Sequence, residues 1–129
     1  TSEELHRIMV TPLHNRTLYH VRDLFLFSCF TGISYIDMCL LSNEHLSLAE
    51  DGDGGLRAHV KKSGVDFEIP LMELPLRILK KYRDIAPEGK LLPMYSNCVL
   101  NYHLKHIAEI CGIKRKLVFH AAKHNQFSI

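Results

Sequence analysis

Glycine and proline are scarce in this chain of 129 residues, which holds 7 glycines and 5 prolines. With 47% hydrophobic and 23% charged residues, the composition excludes collagen-like, low-complexity and disordered proteins. A folded domain of this length buries about two-thirds of the surface that its unfolded chain exposes. We therefore predict a single domain over residues 1–129 with a hydrophobic core.

The sequence also lacks a hydrophobic run of the length that a membrane span needs. The longest run, residues 24–33, contains polar residues and falls well short of the about 20 residues that cross a bilayer. Residues 1–10 carry acidic and basic side chains in place of the apolar centre of a signal peptide. We expect a cytoplasmic protein that makes no contact with membranes.

Motifs of several enzyme classes are missing as well. The sequence has no glycine-rich phosphate loop, no G-x-S-x-G and no H-E-x-x-H, so nucleotide hydrolysis and serine hydrolase chemistry are not expected. The four cysteines form no C-x-x-C pair, and we interpret them as reduced, mostly buried thiols. No cofactor is expected.

The spacing of apolar residues predicts a mainly helical fold. Asn15 or Thr17 can cap the second helix and Gly32 can end it. The short third helix is expected to bury Ile36, Met38, Leu40 and Leu41. The predicted helices cover residues 1–9, 15–30, 35–41, 74–85 and 97–112, and residues 120–124 also have helical character.

Two strands are predicted at residues 56–61 and 65–69. Lys62, Ser63 and Gly64 lie between them, and the glycine permits the positive backbone angle that a tight hairpin turn favours. Pro70 is expected to end the second strand. The predicted fold class is therefore mainly α with a small antiparallel β-hairpin.

Charge is unevenly distributed along the chain. The lysines and arginines of residues 1–89 are outnumbered by acidic residues, whereas residues 90–129 carry six basic residues and one acidic residue, Glu109. A basic sector of this kind favours a polyanionic partner approached from one side. An ordinary solvated surface explains the same charge pattern equally well.

A few positive or proton-carrying residues are candidates for phosphate binding. Lys62 lies at the predicted hairpin tip, and His120 and Lys123 are one helical turn apart. Such groups can stabilise negative charge on a phosphate, although a solvated Lys62 and a partly buried His120 remain open. His120 and His124 share the spacing of a metal pair, but no third ligand has a recognisable spacing, so no metal site is predicted.

Four stretches of the sequence are similar, in their residues and in their order along the chain, to stretches of one known family. These stretches are residues 1–5, 22–37, 61–71 and 119–124. They resemble the catalytic domain of the tyrosine recombinases (the phage integrase family), especially the integrases of Bacteroides-type conjugative elements. The resemblance implies a tyrosine recombinase catalytic-domain-like fold and duplex DNA as the partner.

The resemblance also implies a set of site residues. In the family, a tyrosine cuts a DNA strand through a 3′-phosphotyrosyl link, with two arginines, a hairpin lysine and a histidine around the phosphate. Lys62 matches the hairpin lysine that protonates the leaving oxygen, and His120 matches the histidine of the H-x-x-R box. Lys123 stands at the arginine of that box and Ser34 at the first arginine. Lys61 and His124, beside these positions, are expected to contact DNA.

The sequence departs from the family in ways that affect activity. Lys123 keeps a positive charge but lacks the planar fork of arginine, and Ser34 offers a hydrogen bond without charge. None of the five tyrosines matches the nucleophile, and we expect a truncated, monomeric piece of a tetrameric recombinase that cannot cleave DNA alone. The alternatives are a degenerate recombinase remnant, a helical interaction module, or a metal-binding domain that uses His120 and His124.

Overall fold

The structure is a computed structural model that describes residues 2–42, 46–50, 56–62, 65–71, 73–114 and 116–119. It is mainly helical with a small antiparallel sheet, as predicted. The elements in these ranges are α1 (Ser2–Val10), α2 (Arg16–Thr31), α3 (Tyr35–Leu40), β1 (Leu46–Glu50), β2 (Leu56–Lys62), β3 (Val65–Leu71), α4 (Glu73–Tyr82) and α5 (Asn97–Ile110).

The chain forms two compact units, one nested in the sequence of the other. The split unit combines Thr1–Tyr35 with Met94–Ile129, and the inserted unit is Ile36–Pro93. In the split unit, α2 packs against both α1 and α5. Its fully buried side chains include Ile8, Leu18, Val21, Leu24, Phe25, Phe27, Leu100, Leu104, Ile107, Leu117 and Phe119.

Helix α2 begins and ends where the sequence predicts. Asn15 is the N-cap, and its side-chain oxygen accepts a hydrogen bond from the Leu18 amide at 3.0 Å, which satisfies one of the free amides of the first turn. Gly32 ends the helix in the left-handed conformation with φ 77°. Asn15 rather than Thr17 is therefore the cap.

Helix α5 is held at both ends. The Ser96 hydroxyl accepts a hydrogen bond from the Val99 amide at its start. At its end, Arg7 of α1 donates from Nη1 to the carbonyl oxygens of Cys111 and Gly112, at 3.4 and 3.2 Å. Because the last carbonyls of a helix have no partner within the helix, this arginine both satisfies them and ties α1 to α5.

The inserted unit contains a three-stranded antiparallel sheet in the order β1-β2-β3. The predicted hairpin is β2 and β3, in which Lys62 pairs with Val65. Strand β1 was not predicted; it pairs with β2 through Leu46 and Val60. The prediction that Pro70 ends its strand was wrong, because β3 continues to Leu71. An edge strand such as β3 tolerates proline since one side of it needs no ladder hydrogen bonds.

Two predictions about helices in the inserted unit were also wrong in part. Met38 and Leu41 are buried, but Ile36 and Leu40 are 66% and 47% exposed. Positions 36 and 40 are four residues apart and share a helix face, which in α3 is the solvent face. Helix α4 ends at Tyr82, whose carbonyl accepts hydrogen bonds from the amides of Ile85 and Ala86 in a closing turn.

Candidate nucleic-acid interface

The turn after α2 places Ser34 through a set of short hydrogen bonds. The Ser28 hydroxyl donates to the Ile33 carbonyl at 2.6 Å, and the Thr31 hydroxyl donates to the Phe27 carbonyl at 2.7 Å. Thr31 also accepts from the Ile33 amide at 3.2 Å. These bonds link the last turn of α2 to the residues that follow it, so the backbone around half-buried Ser34 has a defined path.

Lys61 and Lys62 are the last two residues of β2. Their backbone partners in β3 are Asp66 and Val65. This register puts Lys62 at the closing end of the β2–β3 hairpin, the position that the sequence predicts for a lysine at a hairpin tip.

The chain that leads to His120 is anchored at Phe119. This side chain is 1% exposed, and its ring contacts Phe25 edge-on, with 6.1 Å between centroids. The Phe119 amide donates to the Asn101 side-chain oxygen of α5 at 2.7 Å. His120, Lys123 and His124 lie outside the described residues, so their predicted roles stay predictions.

Two of the four family-like stretches meet at this anchor. Tyr35, the neighbour of Ser34, packs edge-on against Phe119, the neighbour of His120, with ring centroids 5.9 Å apart. The Tyr35 hydroxyl donates to the Tyr95 carbonyl at 2.9 Å, which holds the ring in place. The split unit therefore brings the stretch with Ser34 to the stretch that begins at Phe119. Lys61 and Lys62 belong to the inserted unit.

Asn101 is a structural residue beside the candidate site that sequence reasoning missed. It was not among the predicted site residues. In the structure it is half-buried and accepts the Phe119 hydrogen bond. No local signal identifies it, because its partner is 18 residues away in the chain.

A cavity of about 550 Å³ lies beside the same anchor in the split unit. Its charged lining residues are three exposed lysines and one glutamate, so the cavity rim carries net positive charge. The lining residues are Asn101, Lys105, Ala108, Glu109, Ile113, Lys114, Lys116, Leu117 and Val118.

The five tyrosines are structural or surface residues in this fold. Tyr82 is buried, and Tyr19 accepts the Leu13 amide at its hydroxyl at 3.0 Å. Tyr95 packs its ring against His20. Tyr102 is 73% exposed on α5, beside His103.

The four cysteines are free, as predicted, but only Cys111 is buried, and Cys98 is exposed. The prediction that most are buried was therefore wrong. Cys29 is half-buried, and this partial burial raises the pKa of its thiol from 9.0 to about 12 because the thiolate would lose hydration. Cys29 is thus a neutral thiol at physiological pH and a poor nucleophile.

Within the described ranges, no three histidine, cysteine or acidic side chains come together as metal ligands. None of the helices in those ranges combines the length and apolar character that a bilayer crossing needs.

Comparisons with known proteins give a fold but no sequence relative. No family model matches the sequence, and no curated protein matches it. Among solved structures, the chain is similar to XerA recombinase, with a TM-score of 0.67 and 17% identity over 96% of this chain and 47% of that one. It is also similar to XerH site-specific recombinase bound to its difH substrate, with a TM-score of 0.69, 18% identity, and coverage of 96% and 40%.

A third similar structure is FLP recombinase in a Holliday junction complex, with a TM-score of 0.58, 18% identity, and coverage of 95% and 37%. The chain spans less than half the length of each of these proteins. The fold is therefore that of a tyrosine recombinase catalytic domain, as the sequence resemblance implied.

Proposed function

We propose that residues 1–129 form a single partial catalytic domain of a site-specific tyrosine recombinase that binds duplex DNA. The observation that carries this proposal is the contact between the rings of Tyr35 and Phe119, whose centroids are 5.9 Å apart. This contact joins two family-like stretches in one unit. The fold shared with XerA and XerH adds support. A cytoplasmic, bacterial setting and an integrase of the Bacteroides-type conjugative elements fit the same resemblance.

Each proposed site residue has a separate role at a DNA phosphate. Ser34 donates a hydrogen bond, and Lys62 and Lys123 supply positive charge, with Lys62 also protonating the leaving oxygen. His120 contacts the phosphate and transfers a proton, while Lys61 and His124 bind the flanking backbone. Positive groups held where negative charge develops are the main requirement of phosphoryl transfer.

Strand cleavage is not expected from this chain by itself. The five tyrosines have the structural or surface positions described above. Lys123 can bind a phosphate through its single ammonium group, but it cannot form the bidentate hydrogen bonds that an arginine would form. We propose that the chain acts as a monomer in binding, and that a full-length recombinase would assemble as a tetramer on DNA and cut through a 3′-phosphotyrosyl intermediate.

DNA binding can be tested by fluorescence anisotropy with a labelled duplex across a salt series. The wild-type affinity should fall steeply as salt rises, because lysine contacts displace counterions from the phosphates. Lys62→Ala and Lys123→Ala should each weaken binding several-fold and reduce the slope of log affinity against log salt by about 0.9. Lys123→Arg should tighten binding, since arginine restores the two-point grip.

Lys80→Ala is the matched control, because it removes one exposed lysine from α4 outside the proposed site. Its affinity and salt slope should stay close to the wild-type values. Absence of binding at low salt, or binding that salt does not weaken, would contradict the proposal. Unchanged binding in both Lys62→Ala and Lys123→Ala would favour the degenerate remnant or helical interaction module instead.

A further inference from the structure

Two histidines from separate elements meet on the surface of the split unit. His14 lies between α1 and α2, and His106 lies on α5. Their ring centroids are 5.6 Å apart, and the ring planes are inclined by 77°. Neither histidine is among the residues proposed to contact DNA.

The spacing of the two rings matches that of two imidazoles on one metal ion. A metal–nitrogen bond of about 2.1 Å places each ring centroid about 3.2 Å from the metal, so a tetrahedral angle separates the two centroids by about 5.2 Å. The observed distance is 5.6 Å. The centroid spacing is therefore within about half an ångström of that of a chelating pair, and rotation about a metal–nitrogen bond accommodates the inclined planes.

The surroundings of the pair suit a surface chelate. Both histidines are exposed, so a hydrated ion can reach them. In the described part of the chain, no third protein ligand completes the group, and water would fill the remaining coordination positions. Imidazole nitrogen favours Zn²⁺, Ni²⁺ and Cu²⁺ over Mg²⁺ and Ca²⁺, which prefer oxygen ligands.

We propose that His14 and His106 together bind one divalent transition metal ion of the Zn²⁺, Ni²⁺ or Cu²⁺ class. The ion links the segment before α2 to α5. His14 immediately precedes Asn15, the N-cap of α2, and α2 packs against α5. Because the two ligands are 92 positions apart and meet only in the folded chain, the ion binds the native state in preference to the unfolded state and stabilises the split unit.

The experiment measures Ni²⁺ binding by titration calorimetry and the melting temperature with and without Ni²⁺. It uses the wild type, His14→Asn, His106→Asn and the double variant. At a Ni²⁺ concentration ten times the dissociation constant, the wild-type Tm should rise by about 5 °C. Each single variant should lose about tenfold or more in affinity, since one imidazole then binds without the chelate partner.

Two comparisons distinguish the pair from general binding to histidine. The double variant should lose less affinity than the sum of the two single losses, because either change alone already breaks the chelate. His6→Asn removes another exposed histidine, on α1, and should leave the affinity unchanged. Equal Ni²⁺ affinity and Tm shift in the wild type, His14→Asn and His106→Asn would overturn the proposal. Additive losses in the double variant would overturn it as well.

Discussion

The side-chain oxygen of Asn101 accepts a hydrogen bond from the Phe119 amide at 2.7 Å, and this bond fixes the backbone just before His120. Asn101→Ala should lower the free energy of unfolding by about 1–3 kcal/mol, because a partly buried amide then loses its acceptor. Asn101→Asp keeps an acceptor oxygen and should lose less. Urea denaturation measures both values.

The control for this prediction is Asn97→Ala, at the exposed first residue of the same helix. It should change stability by about 0.5 kcal/mol or less. If Asn101→Ala matched this control, the Phe119 hydrogen bond would contribute nothing measurable to stability.

At the residue scale, the sequence predicted positions that depend on local pattern and missed those that depend on distant partners. Lys62 at the hairpin end and Gly32 at the helix end were predicted from neighbouring residues alone. Asn101 was missed because its role comes from Phe119. Ile36 and Leu40 were expected in the core because apolar character does not say which side of a short helix is covered.

The turn that ends α2 depends on the backbone of Gly32. Its φ of 77° is unfavourable for residues with a side chain, and an added Cβ would have no atom within 4 Å. Gly32→Ala should therefore cost about 1–2 kcal/mol from backbone conformation alone. Gly32→Asn should cost less, because asparagine adopts the left-handed region more readily than alanine.

Thermal unfolding followed by circular dichroism measures this difference. Because both variants add a Cβ in open space, their ranking isolates the backbone term from steric clash. A similar loss of stability in Gly32→Ala and Gly32→Asn would show that the left-handed conformation is not what the position requires.

At the element scale, helices with clear caps and periodicity were predicted to within a few residues. Asn15 and Gly32 bound α2, and the predicted start of α5 at Asn97 is the observed one. Strand β1 was missed because its partner strand β2 lies beyond an acidic, glycine-rich stretch of the sequence. Its own residues include alanine and glutamate, which have low β-propensity.

The split unit has a shared core between α2 and α5, in which Leu104 is completely buried. Leu104→Ala should destabilise the protein by about 2–5 kcal/mol, since it removes buried methyl groups and leaves a cavity. Because α2 packs against α5, amide hydrogen exchange should speed up in both helices. Lys105→Ala, at the exposed neighbouring position, should leave exchange in α2 unchanged.

Loss of protection in α5 alone would show that the two helices open independently.

At the scale of the whole molecule, the sequence indicated one mainly helical domain and the family-like fold. It did not indicate the division into a split and an inserted unit. That division arises from contacts between residues before position 36 and residues after position 93, which periodicity along the chain does not encode.

The nested order of the two units has a consequence for synthesis on the ribosome. Arg7 and its acceptor Cys111 are 104 residues apart, so at about 5–20 residues per second their contact waits about 5–20 s after Arg7 is made. The entire inserted unit is translated within that interval. The inserted unit is therefore fully synthesised before the split unit is. Helices α1 and α2 leave the exit tunnel with their apolar faces uncovered until α5 follows.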